Sequence, residues 1–113
     1  VWSVERWPDV AETAKENLAR RGVTNVEVFA GDGTEGLPEH APYDAVLVSA
    51  AFPSVPPPLA EQLAAGGRLV QPIGPGGQEA VMLFERGKEG LVRRHIVTGA
   101  HFVKLYGVHA FPE

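Results

Sequence analysis

Apolar and polar residues alternate along this chain with the periods of strands and helices in turn. Residues 1–4 are rich in strand-forming side chains, and residues 25–30 place Val26, Val28 and Ala30 on one face of a second predicted strand. Residues 45–48 form a continuous apolar run, which is typical of a strand buried on both faces of a parallel sheet. These patterns predict an α/β protein with helices packed on a sheet.

Two helices are predicted between the strands. The first begins at Pro8, a residue suited to the first helical position, and ends at Gly22. Its apolar face is formed by four residues: Val10, Ala11, Ala14 and Leu18. The second helix begins at Pro58, continues through Leu63 and Ala64, and is capped by Gly66-Gly67.

The second half of the chain predicts mostly strands. Residues 34–42 are polar and contain Pro and Gly, so we expect a loop or a single helical turn there. Residues 68–73 form a strand and residues 74–77 a flexible turn. Residues 79–85 and 91–97 then form an antiparallel hairpin around residues 88–90. A last short strand is expected at residues 101–106.

Composition limits the classes of function. The 113 residues suffice for one domain, and 44% apolar residues with a net charge of −4 describe a globular protein. The acidic balance, with no basic cluster larger than a pair such as Arg93-Arg94, argues against a nucleic-acid surface. Because the chain contains no apolar run of membrane-spanning length, we expect no membrane partner. No signal peptide is recognised, and a cytoplasmic location is a separate expectation. The chain lacks an initial Met and starts within a strand pattern, so we expect it to be a fragment of a longer protein.

Acidic residues follow two of the predicted strands. Glu5 ends the first strand, where a carboxylate accepts hydrogen bonds from ribose hydroxyls in nucleotide-binding sheets. Asp32 follows the strand at residues 25–30, between Gly31 and Gly33, which allow the backbone to approach a flat ligand. Each residue alone is also explained as an ordinary strand end or turn. Together they predict a nucleotide-type ligand at one sheet edge.

The sequence does not predict a metal site, a hydrolase nucleophile or an aromatic platform. The four His residues have no closely spaced partners, so no metal site is predicted. Ser49 lacks a Gly-x-Ser-x-Gly elbow, which argues against a hydrolase nucleophile. Trp2, Trp7 and Phe29 are interpreted as core residues rather than as an aromatic platform.

Several motifs resemble the protein-L-isoaspartate O-methyltransferase family. They run from about residue 1 to about residue 105. The more specific ones are Gly31-Asp32-Gly33, Pro42-Tyr43-Asp44-Ala45 and the corner Ala50-Ala51-Phe52-Pro53-Ser54-Val55-Pro56; Gly66-Gly67-Arg68-Leu69 is generic to adenosylmethionine-dependent methyltransferases.

The resemblance implies a Rossmann-like adenosylmethionine-dependent methyltransferase sheet, incomplete in this chain, with a C-terminal antiparallel hairpin. It implies S-adenosyl-L-methionine as cofactor and methyl esterification of the free carboxylate of L-isoaspartyl residues in damaged peptides and proteins, a repair reaction. Glu5 would hold the cofactor ribose, Asp32 and Gly33 the adenine, and Ser49 and Ala50 would border the sulfonium. No catalytic acid or base is implied. The substrate side would be lined by five residues: Pro53, Ala100, His101, Phe102 and Val103.

The chain departs from the family pattern in identifiable places. The family's Gly-x-Gly cofactor loop and first strand would precede Val1, so residues 1–113 are interpreted as the C-terminal part of a single methyltransferase domain, with the fragment alone inactive and the full-length protein monomeric. Phe52 stands where a small residue is common, and Lys104 stands where the family's last strand usually has Pro. We expect Phe52 to narrow the substrate corner.

Two other functions are compatible with parts of the pattern. A Rossmann-type dinucleotide oxidoreductase also uses an acidic strand end, and a methyltransferase-like domain can be retained for binding alone. The combination of Gly-Asp-Gly with Gly-Gly-Arg-Leu favours the methyltransferase.

Overall fold

The computed structural model describes residues 1–113, which divide into two compact units at residues 1–33 and 34–113. The first unit contains β1 (Trp2–Glu5), α1 (Pro8–Arg20) and β2 (Glu27–Ala30). β1 and β2 pair in parallel, with Trp2 opposite Glu27 and Glu5 opposite Ala30. The predicted strand–helix–strand order is confirmed.

Helix α1 begins and ends where its sequence predicts. Pro8 occupies the first turn, where its missing N–H costs no intrahelical bond. At the other end Gly22 has φ 68° and donates to Ala19 O, and Val23 donates to Leu18 O. These two bonds satisfy the last carbonyls in a Schellman arrangement, which requires the positive φ that glycine adopts without strain.

The predicted interior of this unit is partly wrong. Ala11 and Val28 are buried, but Val10 is 47% exposed because it lies at the rim of the helix's apolar face. Trp2 and Trp7 are also exposed, so neither is a core residue of the unit, although Trp2 contacts the Phe29 ring at 6.3 Å.

The second unit is built on a four-stranded sheet in the order β3-β4-β5-β6. β3 (Tyr43–Leu47) is parallel to β4 (Leu63–Ile73), and β5 (Glu79–Gly87) and β6 (Gly90–Ala100) continue the sheet antiparallel. Two short 3-10 turns, Gly33–Glu35 and Pro38–His40, precede β3 as predicted. The hairpin of β5 and β6 is confirmed, with Gly87 paired to Gly90 across a two-residue turn.

The second helix is shorter than predicted. Helix α2 spans only Pro57–Glu61, and Leu63 already belongs to β4, where it pairs with Tyr43. The chain enters the sheet here because Tyr43 N donates to Gln62 O at 2.8 Å. The expected glycine cap, Gly66-Gly67, therefore lies inside β4, next to the irregular register between Tyr43 and Ala45.

The core of this unit lies on one face of its sheet. Buried Leu59, Leu63 and Leu69 form its centre, and five half-buried residues pack against them: Val46, Val48, Val55, Phe84 and Leu91. Within residues 1–113, β3 is an edge strand and its Leu47 is 76% exposed, so the expected burial of residues 45–48 on both faces is not found in this chain. No helix in the structure has the length and apolar character needed to cross a membrane.

The expected last strand at residues 101–106 is also absent as a strand. Lys104 forms an isolated parallel bridge with Ala51, and Tyr106 forms another with Phe111. The segment contacts a loop rather than a neighbouring strand, so its pairing does not propagate.

Candidate functional site

The carboxyl end of the β1–β2 pair brings the predicted nucleotide-binding residues of the first unit to one edge. β1 and β2 are parallel, so Glu5 and the Gly31-Asp32-Gly33 loop both follow strand ends there. Gly31 N donates to Glu5 O at 2.9 Å. Glu5 and Asp32 therefore meet at the same edge, as the sequence predicts.

The Glu5 side chain is oriented by the backbone at the start of α1. The Glu5 side chain accepts from Trp7 N through Oε1 at 3.1 Å, which fixes the carboxylate at the start of α1. A carboxylate has further acceptor capacity on its second oxygen, so it can still accept from a ribose hydroxyl. A Cβ at Gly31 would have no neighbouring atom within 4 Å, so packing within the chain does not explain a glycine there.

In the second unit, the corner after β3 is tied to the end of β4. Val48 N donates to Val70 O at 2.9 Å, and the chain then passes through Ser49, which is exposed, and Ala50, which is half-buried. Phe52 bridges Ile73 in parallel, and Gly74 N donates to Phe52 O at 3.1 Å. The corner is thus held at the carboxyl edge of the two parallel strands.

The same corner binds the predicted substrate segment. Ala51, which is fully buried, donates through its N–H to Val103 O at 2.7 Å and accepts from Leu105 N at 2.8 Å. Ala50 therefore lies one residue from a hydrogen bond to Val103. The structure brings the predicted sulfonium border and the predicted substrate segment together within this unit.

The remaining predicted substrate residues have separate partners. Ala100 ends β6 opposite Glu79, and His101 Nδ1 is hydrogen-bonded to Gly77 O. Phe102 N donates to Glu79 Oε2 at 3.0 Å. Val103 is 74% exposed, so its side chain is available to a ligand.

Pro53 faces a different feature, an open cavity of about 340 Å³ on the core face of the sheet. Its lining is mostly apolar and consists of Pro53, Ser54, Val55, Ile73, Met82, Phe84, Leu91 and Arg93. None of residues 100–103 lines this cavity. The cavity therefore does not bring Pro53 together with the other predicted substrate residues.

The two departures from the family pattern contact one aromatic ring. Phe52 packs edge-to-face on Phe111 with ring centroids 4.9 Å apart, and Lys104 Nζ lies 5.2 Å from the centre of the same ring. The Phe52 ring is thus directed to the C-terminal residues.

The sequence predictions identified none of the three buried polar residues, Thr34, Gln71 and Glu79. Two of these, Gln71 and Glu79, bind the corner or the substrate segment. Gln71 is fully buried in β4 and donates to Ser54 O at 2.8 Å, which helps to hold the corner. Its amide within an apolar strand was a usable signal. Glu79 is buried as well, but it follows a glycine-rich turn and is indistinguishable there from a solvated turn residue.

The side chains form no group of three or more His, Cys, Asp or Glu residues that could hold a metal ion. The only resolved pKa change is at Tyr43, whose pKa is raised by burial and secondly by the charge of Glu39. Neither residue lies at the corner or in the substrate segment.

Comparisons with known proteins agree with this geometry. The sequence profile described as protein-L-isoaspartate(D-aspartate) O-methyltransferase matches residues 1–110. A protein-L-isoaspartate O-methyltransferase of Methanoculleus marisnigri is 55% identical over 108 residues, covering 95% of this chain and 48% of the relative. One from Aeropyrum pernix is 46% identical over 114 residues, covering 100% of this chain and 44% of the relative. The chain thus spans about half the length of these curated relatives.

Solved structures show the same fold. A protein-L-isoaspartate O-methyltransferase structure superposes with a TM-score of 0.85 at 32% identity, covering 97% of this chain and 35% of that one. A putative Plasmodium falciparum protein-L-isoaspartate O-methyltransferase, solved with S-adenosyl-L-homocysteine, superposes with a TM-score of 0.76 at 23% identity, covering 94% of this chain and 52% of that one. The predicted Rossmann-like methyltransferase architecture with its C-terminal hairpin is confirmed. The chain belongs to the protein-L-isoaspartate(D-aspartate) O-methyltransferase family.

Proposed function

We propose that the protein containing this chain methylates the free carboxylate of L-isoaspartyl residues in damaged peptides and proteins, with S-adenosyl-L-methionine as the donor. The observation that carries the proposal is the pair of hydrogen bonds between Ala51 and residues 103 and 105, which joins the corner after β3 to the predicted substrate segment. The names of the relatives and the adenosylhomocysteine bound to the Plasmodium protein support the assignment.

The proposed cofactor residues are those at the two strand edges. Glu5 would accept from the ribose hydroxyls, Asp32 and Gly33 would contact the adenine, and Ser49 and Ala50 would border the sulfonium. When bound, adenosylmethionine supplies an activated methyl group, which an ionised carboxylate accepts without first losing a proton. The chain's residues then need only to bind, align and exclude water.

The proposed substrate residues act mainly through the backbone. Residues 100–103 would offer backbone groups to the isoaspartyl peptide, and Pro53 would contact the peptide from the corner. Because Ala51 and Glu79 already bind this segment, its path is fixed before a peptide arrives. Such preorganisation reduces the entropy lost on binding.

The test compares an isoaspartyl peptide with its normal aspartyl twin, using the whole protein and labelled adenosylmethionine. Methyl transfer to the isoaspartyl peptide alone is expected. Equal rates on both peptides would refute the repair assignment. A titration that showed binding of NAD but not of adenosylmethionine would refute methyl transfer altogether.

A paired substitution tests the cofactor edge. Glu5→Gln keeps an oxygen for Trp7 N but removes the charge, so the dissociation constant of adenosylhomocysteine should rise by about tenfold. Glu27→Gln, on the paired strand and exposed, is the matched control and should leave the dissociation constant unchanged. Equal effects of both variants would remove Glu5 from the site.

We also propose that residues 1–113 are the C-terminal part of a single methyltransferase domain in a cytoplasmic, monomeric protein. The partial coverage of the relatives supports the first statement, and the family resemblance supports the others. The mass of the single native chain checks its length. The mass of the protein in solution, measured by light scattering, checks its oligomeric state.

A further inference from the structure

Glu79 is a buried carboxylate without an assigned role. Only 5% of the residue is exposed, at the start of β5. Its Oε2 accepts from Phe102 N at 3.0 Å, while its Oε1 is buried and has no hydrogen-bond partner. Burying a carboxylate with one partner costs free energy, so the contact with Phe102 is made at the expense of stability.

A glycine directly after β4, Gly74, lies against Glu79. A Cβ at Gly74 would lie 2.9 Å from both Gln78 O and Glu79 Cγ, which is closer than real Cβ contacts allow. The N–H of Gly74 donates to Phe52 O at 3.1 Å. The absence of a side chain at Gly74 therefore lets residues 78 and 79 pack against it, while the glycine's N–H holds the corner.

Glu79 and the corner hold adjacent parts of one segment. Ala51 accepts from Leu105 N and donates to Val103 O, whereas Glu79 binds Phe102 N, the neighbouring residue. Beyond Ala100 the segment has no strand partner that could fix Phe102 in place of Glu79. The carboxylate thus replaces a missing ladder hydrogen bond.

We propose that Glu79 is a positioning residue, which holds residues 100–103 in the conformation that receives the isoaspartyl peptide. This inference rests on the proposed function. Glu79 acts on the substrate only through the backbone of Phe102, so its loss should affect peptide binding and leave cofactor binding intact.

The experiment uses the whole protein and four variants. Glu79→Ala should raise KM for the isoaspartyl peptide about tenfold or more, which corresponds to one lost hydrogen bond to a charged group. Glu79→Gln keeps an acceptor oxygen for Phe102 N and should stay within about threefold of wild type. Glu85→Ala and Glu85→Gln, on the same strand but at a partly exposed ion pair with Arg94, should leave KM unchanged.

Cofactor affinity separates positioning from general destabilisation. The dissociation constant of adenosylhomocysteine should agree for wild type and Glu79→Ala within about twofold, because no predicted cofactor residue contacts Glu79. Loss of cofactor affinity in step with KM would overturn the inference, as would equal KM values for Glu79→Ala and Glu85→Ala.

Amide hydrogen exchange tests the geometry without any assay of activity. Phe102 N–H should be protected in wild type, exchange about tenfold faster or more in Glu79→Ala, and regain protection in Glu79→Gln. Rapid exchange in wild type would overturn the contact itself. A wild-type protein that methylates no isoaspartyl peptide would refute the proposed function and the substrate role of Glu79, whereas the exchange data would still show whether Glu79 holds the segment.

Discussion

Arg86, in β5 of the hairpin, binds carbonyl groups at the end of helix α2. Its substitution should lower the free energy of unfolding. Its Nη1 lies 3.2 Å from Ala60 O, 2.6 Å from Glu61 O and 2.5 Å from Leu63 O. The last carbonyls of a helix have no intrahelical partner, and they form the negative end of its dipole. A guanidinium there satisfies both the hydrogen bonding and the charge.

The magnitude follows from the exposure of the three bonds. Nη1 carries two hydrogens, so three carbonyls share two donors. The bond to Glu61 is exposed and water can replace it, whereas those to Ala60 and Leu63 are partly buried. We expect Arg86→Met, which keeps the apolar stem, to lower the free energy of unfolding by about 2–4 kcal/mol.

The assay is equilibrium urea denaturation of the whole protein, with Arg94→Met as the matched control. Arg94 pairs with Glu85 at 3.2 Å, and their side chains are 52% and 36% exposed. An exposed pair of this kind contributes no more than about 1 kcal/mol. If Arg86→Met lowered the free energy of unfolding no more than Arg94→Met, with the urea dependence unchanged, the carbonyl contacts of Arg86 would make no net contribution to stability. That result would refute the prediction.

Two further predictions concern the loop before β3. Burial and the charge of Glu39 raise the pKa of Tyr43 above 10.0. The contribution of Tyr43 to stability is therefore fully present below about pH 10 and is lost as pH rises through the folded-state pKa. In urea titrations at several pH values, Tyr43→Phe should show a smaller loss of stability at alkaline pH. If stability fell equally steeply above about pH 10 in wild type and Tyr43→Phe, this alkaline loss could not be assigned to Tyr43. Gly36→Ala should lower the free energy of unfolding by about 2–4 kcal/mol, because φ is 66° and the new Cβ would displace Gln62 Oε1, which accepts from Leu37 N at 2.9 Å. Gly66→Ala, with φ 76° and open space, controls for backbone strain alone, and equal losses in thermal melts would exclude the Gln62 clash.

Local signals predicted much of the fold. The end of α1 at Gly22 and the tight hairpin at Gly87–Gly90 depend on residues close in sequence, and both are confirmed. The boundary between α2 and β4 was wrong because Leu63 has the apolar character of either element. Its pairing with Tyr43, twenty residues earlier, decides the outcome.

In the candidate site too, some residues are predicted by local sequence patterns and others are found only from the tertiary structure. The parallel-strand rule placed Glu5 and Asp32 at one edge from sequence alone. Glu79 could not be found that way, because its partner is a backbone N–H 23 residues away. A carboxylate is recognised as a site residue by its neighbours, and these come from the tertiary structure.

Phe52 and Lys104 differ from the family pattern at separate positions, yet the structure makes them one feature. Phe52 presents an edge-to-face contact to Phe111 and Lys104 a cation to the same ring, and each such contact contributes about 0.5–1.5 kcal/mol. Lys104 also forms the bridge to Ala51, the residue before Phe52, so ring and backbone contacts join the same two segments. A proline at Lys104 would remove the cation, and a small residue at Phe52 would remove the aromatic partner. The ring of Phe52 therefore helps to hold the C-terminal residues against the corner, and the expectation that it narrows the substrate corner stays a prediction.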